Sequence, residues 1–369
     1  VGNPIRILHV VVNMNRGGAE TLLMNLYRNI DRTKIQFDFL TCKEGAFDAE
    51  IIEMGGTIHR IPYVTDIGHT KYIQALDHFF TANPYYRIVH AHMDKMSGFV
   101  LRSAKKAGLP IRIAHSHNTS SEGGIAAKTY KWVAGTFITS CATHFLACSS
   151  RAAKWLFSSK QNKTMILKNG IESDKYAFSP EVREQVRQEL NLSPESYVVG
   201  HVGRFAHQKN HSFLIDIFAE LTPYHPNAVL VLVGVGKLRQ DIEKKVRDLN
   251  LMNKVLFLGV RSDINRLLQA FDVFVFPSWH EGFGIAAIEA QAAGLHCILS
   301  NVIPKEVDMG LQLVDYLPLN NKKVWINKIK NTIETDSSRL TFSNESKNKE
   351  YDIKYTAEWA EGFYLSVVR

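Results

Sequence analysis

Short apolar runs rich in β-branched residues recur along the first half of the chain, at 5–12, 37–40, 57–61, 88–92, 111–115 and 143–147. Their length and near-continuous hydrophobicity suit strands covered on both faces, as in a parallel sheet. Several of the segments between them, such as 19–27, repeat apolar positions at three- and four-residue spacing and predict helices. Strands alternating with helices imply a Rossmann-like layer with helices on both faces. After a polar connection at 173–195 containing a charged helix at 182–190, the pattern repeats, with strands at 197–203, 229–233, 255–258, 272–276 and 296–300 and a helix at 211–221. The expected division is a first α/β domain over 1–172, a second over 173–350, and an amphipathic terminal segment over 351–369. Residues 320–355 are polar, lysine-rich and helical at best.

Candidate chemistry collects where strands end. Asn15-Arg16-Gly17-Gly18 joins the first strand to the first helix, where a glycine pair can admit a phosphate or sugar or simply make a tight turn. Two H-x-H pairs, His90 with His92 and His115 with His117, place their rings on one face of their strands, at the edge where ligands bind in open α/β sheets. Paired histidines suggest a metal site, but no carboxylate or cysteine joins them in a zinc-like spacing, so no metal is expected. A polar, glycine-containing loop follows at 118–127.

In the second half, Arg204 and Lys209 fall in the loop after the 197–203 strand. A guanidinium fork and an ammonium point charge suit a diphosphate, although exposed basic residues are common in loops. The run Gly234-Val235-Gly236-Lys237 lacks the spacing of a Walker A loop. Arg261 and Asp263 follow the 255–258 strand and could equally be helix-capping charges. The most informative stretch is Glu281-Gly282-Phe283-Gly284-Ile285 through Glu289. It reads as strand, glycine loop and helix, with the two glutamates spanning roughly 12 Å if all eight intervening steps are helical. A helix N-terminus between two carboxylates favours phosphate in the middle and hydroxyls at both ends, the outline of a nucleotide sugar.

Composition sharpens this only in places. With 369 residues, 45% hydrophobic and 22% charged, the chain has ample material for two cores. Four scattered cysteines without C-x-x-C spacing and no apolar run of about 18 residues lead us to expect a reduced, cytoplasmic protein with no membrane span. The net charge of +8 is uneven: residues 1–170 carry 21 Lys and Arg against 11 Asp and Glu. Without an arginine-rich recognition helix or ribonucleoprotein-type aromatic motif, nucleic acid is not the expected partner. An anionic membrane surface or a diphosphate-bearing lipid fits the basic half better, beside the plainer reading of a solvated basic face.

Glu281-Gly282-Phe283-Gly284 followed by Glu289 resembles the donor-site motif of family-4 retaining glycosyltransferases. Gly203-Arg204 with Lys209-Asn210, the His115-Ser116-His117-Asn118 strand end and Asn169-Gly170-Ile171-Glu172 are similar to other elements of that family. Asn15-Arg16-Gly17-Gly18-Ala19-Glu20, with Ile30-Asp31-Arg32 and Phe37-Asp38-Phe39, resembles its bacterial exopolysaccharide and capsule branch. Glu172 in place of aspartate and His296 in place of proline are departures outside the donor motif.

The resemblance implies the GT-B fold, two Rossmann-like parallel-sheet domains facing a cleft, with a C-terminal helix crossing back to the first. It further implies transfer from a nucleotide sugar, of which UDP is the expected carrier, to a glycan or polyprenyl-diphosphate-linked acceptor at the inner face of the membrane. The implied donor residues are Gly17, Gly18, Arg204, Lys209, Arg261, Glu281, Gly282, Phe283, Gly284, Ile285 and Glu289. His117, Glu281, Arg204 and Lys209 take catalytic roles, with Asn15 and Asn118 on the acceptor side. No D-x-D occurs, and no metal or other cofactor is expected. Two other functions share these features: a nucleotide-sugar epimerase of the same fold, and a noncatalytic nucleotide-sugar binder.

Overall fold

The computed structural model describes residues 3–334, 339 and 346–368. The chain divides into two compact units, Val1–Gly170 with Glu350–Arg369, and Ile171–Lys349.

The first unit is built on seven parallel strands, β1 (Ile5–Val10), β2 (Ile35–Thr41), β3 (Ile58–Arg60), β4 (Ile88–Ala91), β5 (Ile111–Ser116), β6 (His144–Ala147) and β7 (Thr164–Ile166). Their order across the sheet is β3-β2-β1-β4-β5-β6-β7. All seven residues of β2 are buried, as a strand covered on both faces requires. The order reverses direction between β1 and β4, which opens a crevice at the carboxyl ends of those strands.

The helix Ile353–Val368 belongs to this unit, as the terminal segment's amphipathic pattern and the family resemblance predict. Ile353, Ala357, Ala360 and Tyr364 form a stripe along it and enter the same core as Ile7, Leu26, Tyr27, Phe37 and Phe39. It lies against the helix Gly18–Asn29. Gly170 admits its first turn: a Cβ there would stand 2.8 Å from the Ile353 backbone, so any side chain would push the helix away.

The second unit has six parallel strands, β8 (Tyr197–Val202), β9 (Ala228–Val233), β10 (Val255–Gly259), β11 (Val273–Phe276), β12 (His296–Ser300) and β13 (Val314–Leu317), ordered β10-β9-β8-β11-β12-β13. The helix His211–Leu221 stands where its periodicity predicts. Strand β13 has no counterpart in the apolar pattern of the sequence. It sits at the sheet edge, is half-buried throughout and carries Asp315, so it lacks the continuous apolar signal of the central strands. Within the lysine-rich 320–355 stretch a helix covers Lys322–Glu334; residues 335–338 and 340–345 lie outside the described residues. No helix among the described residues is long and apolar enough to cross a membrane.

Candidate functional site

In the second unit the direction of strand order reverses between β8 and β11; Arg204, Lys209 and the Glu281–Glu289 motif follow those two strands, while Arg261 follows β10 and Gly17 and Gly18 lie in the first unit. The loop after β8 makes a short turn at His207–Lys209, and Asn210, in the left-handed region at φ 55°, leads into the helix His211–Leu221. The loop after β11 carries Glu281. Lys209 Nζ donates to Glu281 Oε1 at 2.6 Å and stands 4.5 Å from the centre of the Phe276 ring. Around this pair the loops are stitched together: Gln208 Nε2 donates to the His280 carbonyl at 2.9 Å, and the Trp279 N–H to the Gln208 carbonyl at 2.8 Å. The glycines after β9 serve the same loop from below. A Cβ on Gly234 would meet the Gly203 carbonyl at 2.2 Å, and one on Gly236 the Phe205 carbonyl at 2.4 Å. Their role in this structure is close backbone approach.

Gly284 has φ 98° and ψ 53° and caps the helix Ile285–Ala292. This left-handed conformation is one that glycine adopts without a Cβ penalty. It turns the chain so that the helix begins at Ile285, leaving its first N–H groups free of intrahelical partners. The helix therefore reaches Glu289 after little more than one turn, not the two counted from Glu281, because residues 281–284 are loop. Gly282 and Phe283 are buried beside it.

Glu289 Oε1 accepts a hydrogen bond from the Tyr176 hydroxyl at 2.7 Å. Burial pushes its carboxyl up to about 7, with the Tyr176 bond drawing it back. Arg204 is exposed. Arg261 forks onto Asp263, 2.7 Å and 2.6 Å to its two carboxylate oxygens. Asp263 stands at the N-cap of the helix Ile264–Ala270 without a capping side-chain bond, so the pair is an ion pair and not the cap that its position suggests.

In the first unit Gly17 caps the helix Gly18–Asn29, and a Cβ there would meet the Glu20 carboxylate at 2.3 Å. Gly18 is open. Asn15 is exposed and accepts from the Ala46 N–H at 2.9 Å, while Asn118 Oδ1 accepts from the Thr119 N–H at 3.0 Å.

At the carboxyl ends of β1, β4 and β5 lie five histidines. His117 Nε2 is 2.8 Å from His92 Nδ1, and His92 Nε2 is 3.0 Å from His9 Nδ1. A second line runs from the Tyr364 hydroxyl to His90 Nδ1 at 2.7 Å and from His90 Nε2 to His115 Nδ1 at 3.2 Å. Two groups, His9-His90-His92 and His92-His115-His117, each bring three ligand-type nitrogens within 4.8 Å of one another, and both consist of histidines alone. Burial pushes all five rings down, His9 and His117 to about 3.

Four residues escaped the sequence reading. His9 is a lone histidine in an apolar strand, and its only signal is its register, since it pairs with His90 across β1 and β4. Asp94 follows β4 in the left-handed region at φ 48°. Burial pushes its carboxyl up to about 6, against the His117 main chain and the Asn118 amide, which lower it. Tyr176 and Gln208 are set beside Glu289 and Glu281 by tertiary structure alone.

Comparison with known proteins gives the family. The description "Glycosyl transferase 4-like domain" matches residues 17–170 and "Glycosyl transferases group 1" residues 182–349. The putative glycosyltransferase EpsF of Bacillus subtilis is 36% identical over 98% of this chain and 96% of its own length. The UDP-Gal:alpha-D-GlcNAc-diphosphoundecaprenol alpha-1,3-galactosyltransferase of Escherichia coli is 29% identical over 81% of this chain and 80% of its own. Among solved structures, Anabaena HepE in complex with UDP and glucose superimposes with a TM-score of 0.81 at 20% identity, covering 98% of this chain and 100% of that one.

Proposed function

We propose that this chain, which belongs to the group 1 glycosyl transferases, moves a sugar from a UDP-sugar to a lipid-linked glycan in the synthesis of a bacterial surface polysaccharide. The transfer retains anomeric configuration and uses no metal. The observation that carries this reading is the Lys209–Glu281 pair at the β8–β11 reversal, beside a helix whose N-terminus is opened by Gly284. A cation, a carboxylate and free backbone N–H groups in one crevice match a diphosphate flanked by hydroxyls. The UDP-bound relative of the same fold and the UDP-galactose transferase acting on a diphosphoundecaprenol-linked sugar supply the donor and acceptor classes.

In this reading Glu289 accepts from the ribose hydroxyls and Glu281 from the sugar ring. Lys209, Arg204 and the amides at Gly284 and Ile285 neutralise the charge that builds on the departing diphosphate. Lys209 is already held in place by Glu281, so little reorganisation accompanies the charge build-up. The family resemblance assigns His117 to the transferred sugar. The acceptor oxygen bonds to the anomeric carbon on the face from which UDP leaves, and a leaving phosphate oxygen takes the acceptor proton. The paired carboxylates of glycosidases work differently, and Glu281 is occupied here with Lys209.

The lipid-linked acceptor fits a membrane-facing surface on the first unit. Between Arg87 and Lys168 the sequence carries 13 Lys and Arg against two acidic residues, Asp94 and Glu122. The helix Ile125–Thr136, in this stretch, buries only Ala134 and exposes Ile125, Trp132 and Val133 at 87%, 61% and 43%. These positions recur at i, i+7 and i+8, one face of a helix, with Lys128 alongside. Apolar side chains among cations are the composition that docks on an anionic leaflet at the inner face of the membrane.

The test is a screen of labelled UDP-sugars with and without a lipid extract. Product that forms only with acceptor, and falls about 100-fold in a Glu281→Gln variant that still folds, supports the proposal. Conversion of donor alone makes the protein an epimerase, and donor binding without turnover makes it a binder.

A further inference from the structure

We propose that His9, buried in β1, sets through His92 which nitrogen of His117 carries the proton, so that three histidines from three adjacent strands act as one tautomeric unit. The inference rests on the reading above that His117 meets the transferred sugar.

The argument is a count of protons. The ring of His9 is fully buried, that of His92 nearly so, and His117 Nδ1 is enclosed. Burial pushes His9 and His117 down to about 3 and His92 well below the ordinary range, so each ring is neutral at pH 7 and carries one proton. Three protons are available. Each of the two contacts, His117–His92 at 2.8 Å and His92–His9 at 3.0 Å, needs one proton between its nitrogens, because two lone pairs or two N–H groups cannot face each other at that distance. One proton remains for the two free ends, His117 Nδ1 and His9 Nε2, neither of which has a hydrogen-bond partner.

Only two arrangements satisfy this. In one, all three rings are protonated at Nδ1, so that His9 donates to His92, His92 donates to His117, and His117 keeps an N–H at its enclosed Nδ1. In the other all three are protonated at Nε2, the direction of donation is reversed, and His117 offers a lone pair. A mixed set breaks a contact. The choice between a donor and an acceptor at His117 therefore depends on which state suits the His9 Nε2 end. The His9 ring packs against Phe37 and Phe39, with ring centres 4.2 Å and 5.6 Å away, and Tyr364 at 6.3 Å, and its Nε2 is buried. Where a sugar hydroxyl reaches His117 in the transfer proposed above, the tautomer fixes the direction of the hydrogen bond between them, which is how an outer partner orients a working histidine. His9 and His92 are on this account positioning residues.

Two-bond proton–nitrogen correlation spectra of the uniformly labelled full chain at pH 7 read the tautomer of each ring without substrate. The expected result is that His9, His92 and His117 all show the same tautomer. His9→Phe, which leaves His92 Nε2 without a partner, should convert the His117 signal to a mixture and lower kcat about ten-fold, with donor KM within about two-fold. His9→Asn, whose amide can donate or accept where Nδ1 stood, keeps a partner for His92 but removes the enclosed Nε2 end, and should also leave His117 a mixture. Opposite tautomers within the set, an imidazolium among them at pH 7, or a His117 signal unmoved in a folded His9→Phe variant would overturn the relay. So would stoichiometric metal in the purified protein that is lost in His92→Gln. If His9→Phe moves the His117 tautomer and leaves turnover unchanged, the relay stands and the placing of His117 beside the sugar falls.

Discussion

Replacing Glu289 by glutamine should stabilise the second unit at alkaline pH while weakening its hold on the donor. The carboxyl is pushed from 4.5 up to about 7 by burial, with one hydrogen bond, from Tyr176, opposing the shift. A rise of that size corresponds to about 3 kcal/mol against the ionised form. Solvent reaches part of the side chain, so about 1–3 kcal/mol is the expected range in the protein. The sign follows from proton binding. Between pH 4.5 and about 7 the folded unit holds a proton on Glu289 that the unfolded chain has released, so this group's contribution to stability falls as pH rises and levels off above about 7. Glutamine does not titrate and keeps an oxygen for Tyr176. The difference in melting temperature, variant minus wild type, should therefore be small at pH 5 and reach roughly 2–12 °C at pH 8, at about 2–4 °C per kcal/mol for a domain of this size. Other titrating groups cancel in that difference. If Glu289 accepts from ribose hydroxyls, the same variant should bind UDP about ten-fold or more weakly by calorimetry, as loss of a hydrogen bond to a charged acceptor costs about 1.5–3 kcal/mol. A melting difference that does not grow between pH 5 and pH 8 would refute the burial argument, and undiminished UDP affinity would refute the ribose contact.

Three further outcomes are expected. Gly284→Ala should cost about 1–2 kcal/mol in denaturant unfolding, because alanine must adopt φ 98°; with the nearest side-chain atoms 3.6 Å from the added carbon, strain and not crowding is the cause, and a neutral effect would show that the helix starts elsewhere. Arg204→Ala should raise donor KM about ten-fold by loss of a charge-assisted contact and leave the melting temperature within about 1 °C, since the side chain is exposed; an unchanged KM removes Arg204 from the diphosphate. The pair Ile125→Ser and Trp132→Ser should abolish co-sedimentation with anionic vesicles without changing the circular dichroism spectrum, and retained vesicle binding would move the membrane surface to another face.

The central strands could be read in the sequence because burial on both faces leaves an uninterrupted apolar run, while β13 could not, since an edge strand with Asp315 looks like a loop. The glycine loop and its two glutamates were legible as a motif, but not their geometry. The helix starts at Ile285 because Gly284 takes a positive φ, and no periodicity count reveals that residues 281–284 are loop. Lys209 and Glu281 are 72 positions apart. They meet because β8 lies beside β11, and strand order is decided by how the whole sheet packs. His9 stayed invisible for the same reason: one polar residue in an apolar strand acquires meaning only from its neighbours in β4.

The helix Ile353–Val368 completes a core begun by residues 7–39, and this has a consequence for biogenesis. As the nascent chain leaves the ribosome, the sheet of the first unit emerges with one flank bare, and the intervening 180 or so residues of the second unit must be synthesised before that flank is covered. A ribosome that stalls after the second unit would release a protein able to build its nucleotide crevice yet carrying a sticky, half-finished partner domain, a natural client for chaperones.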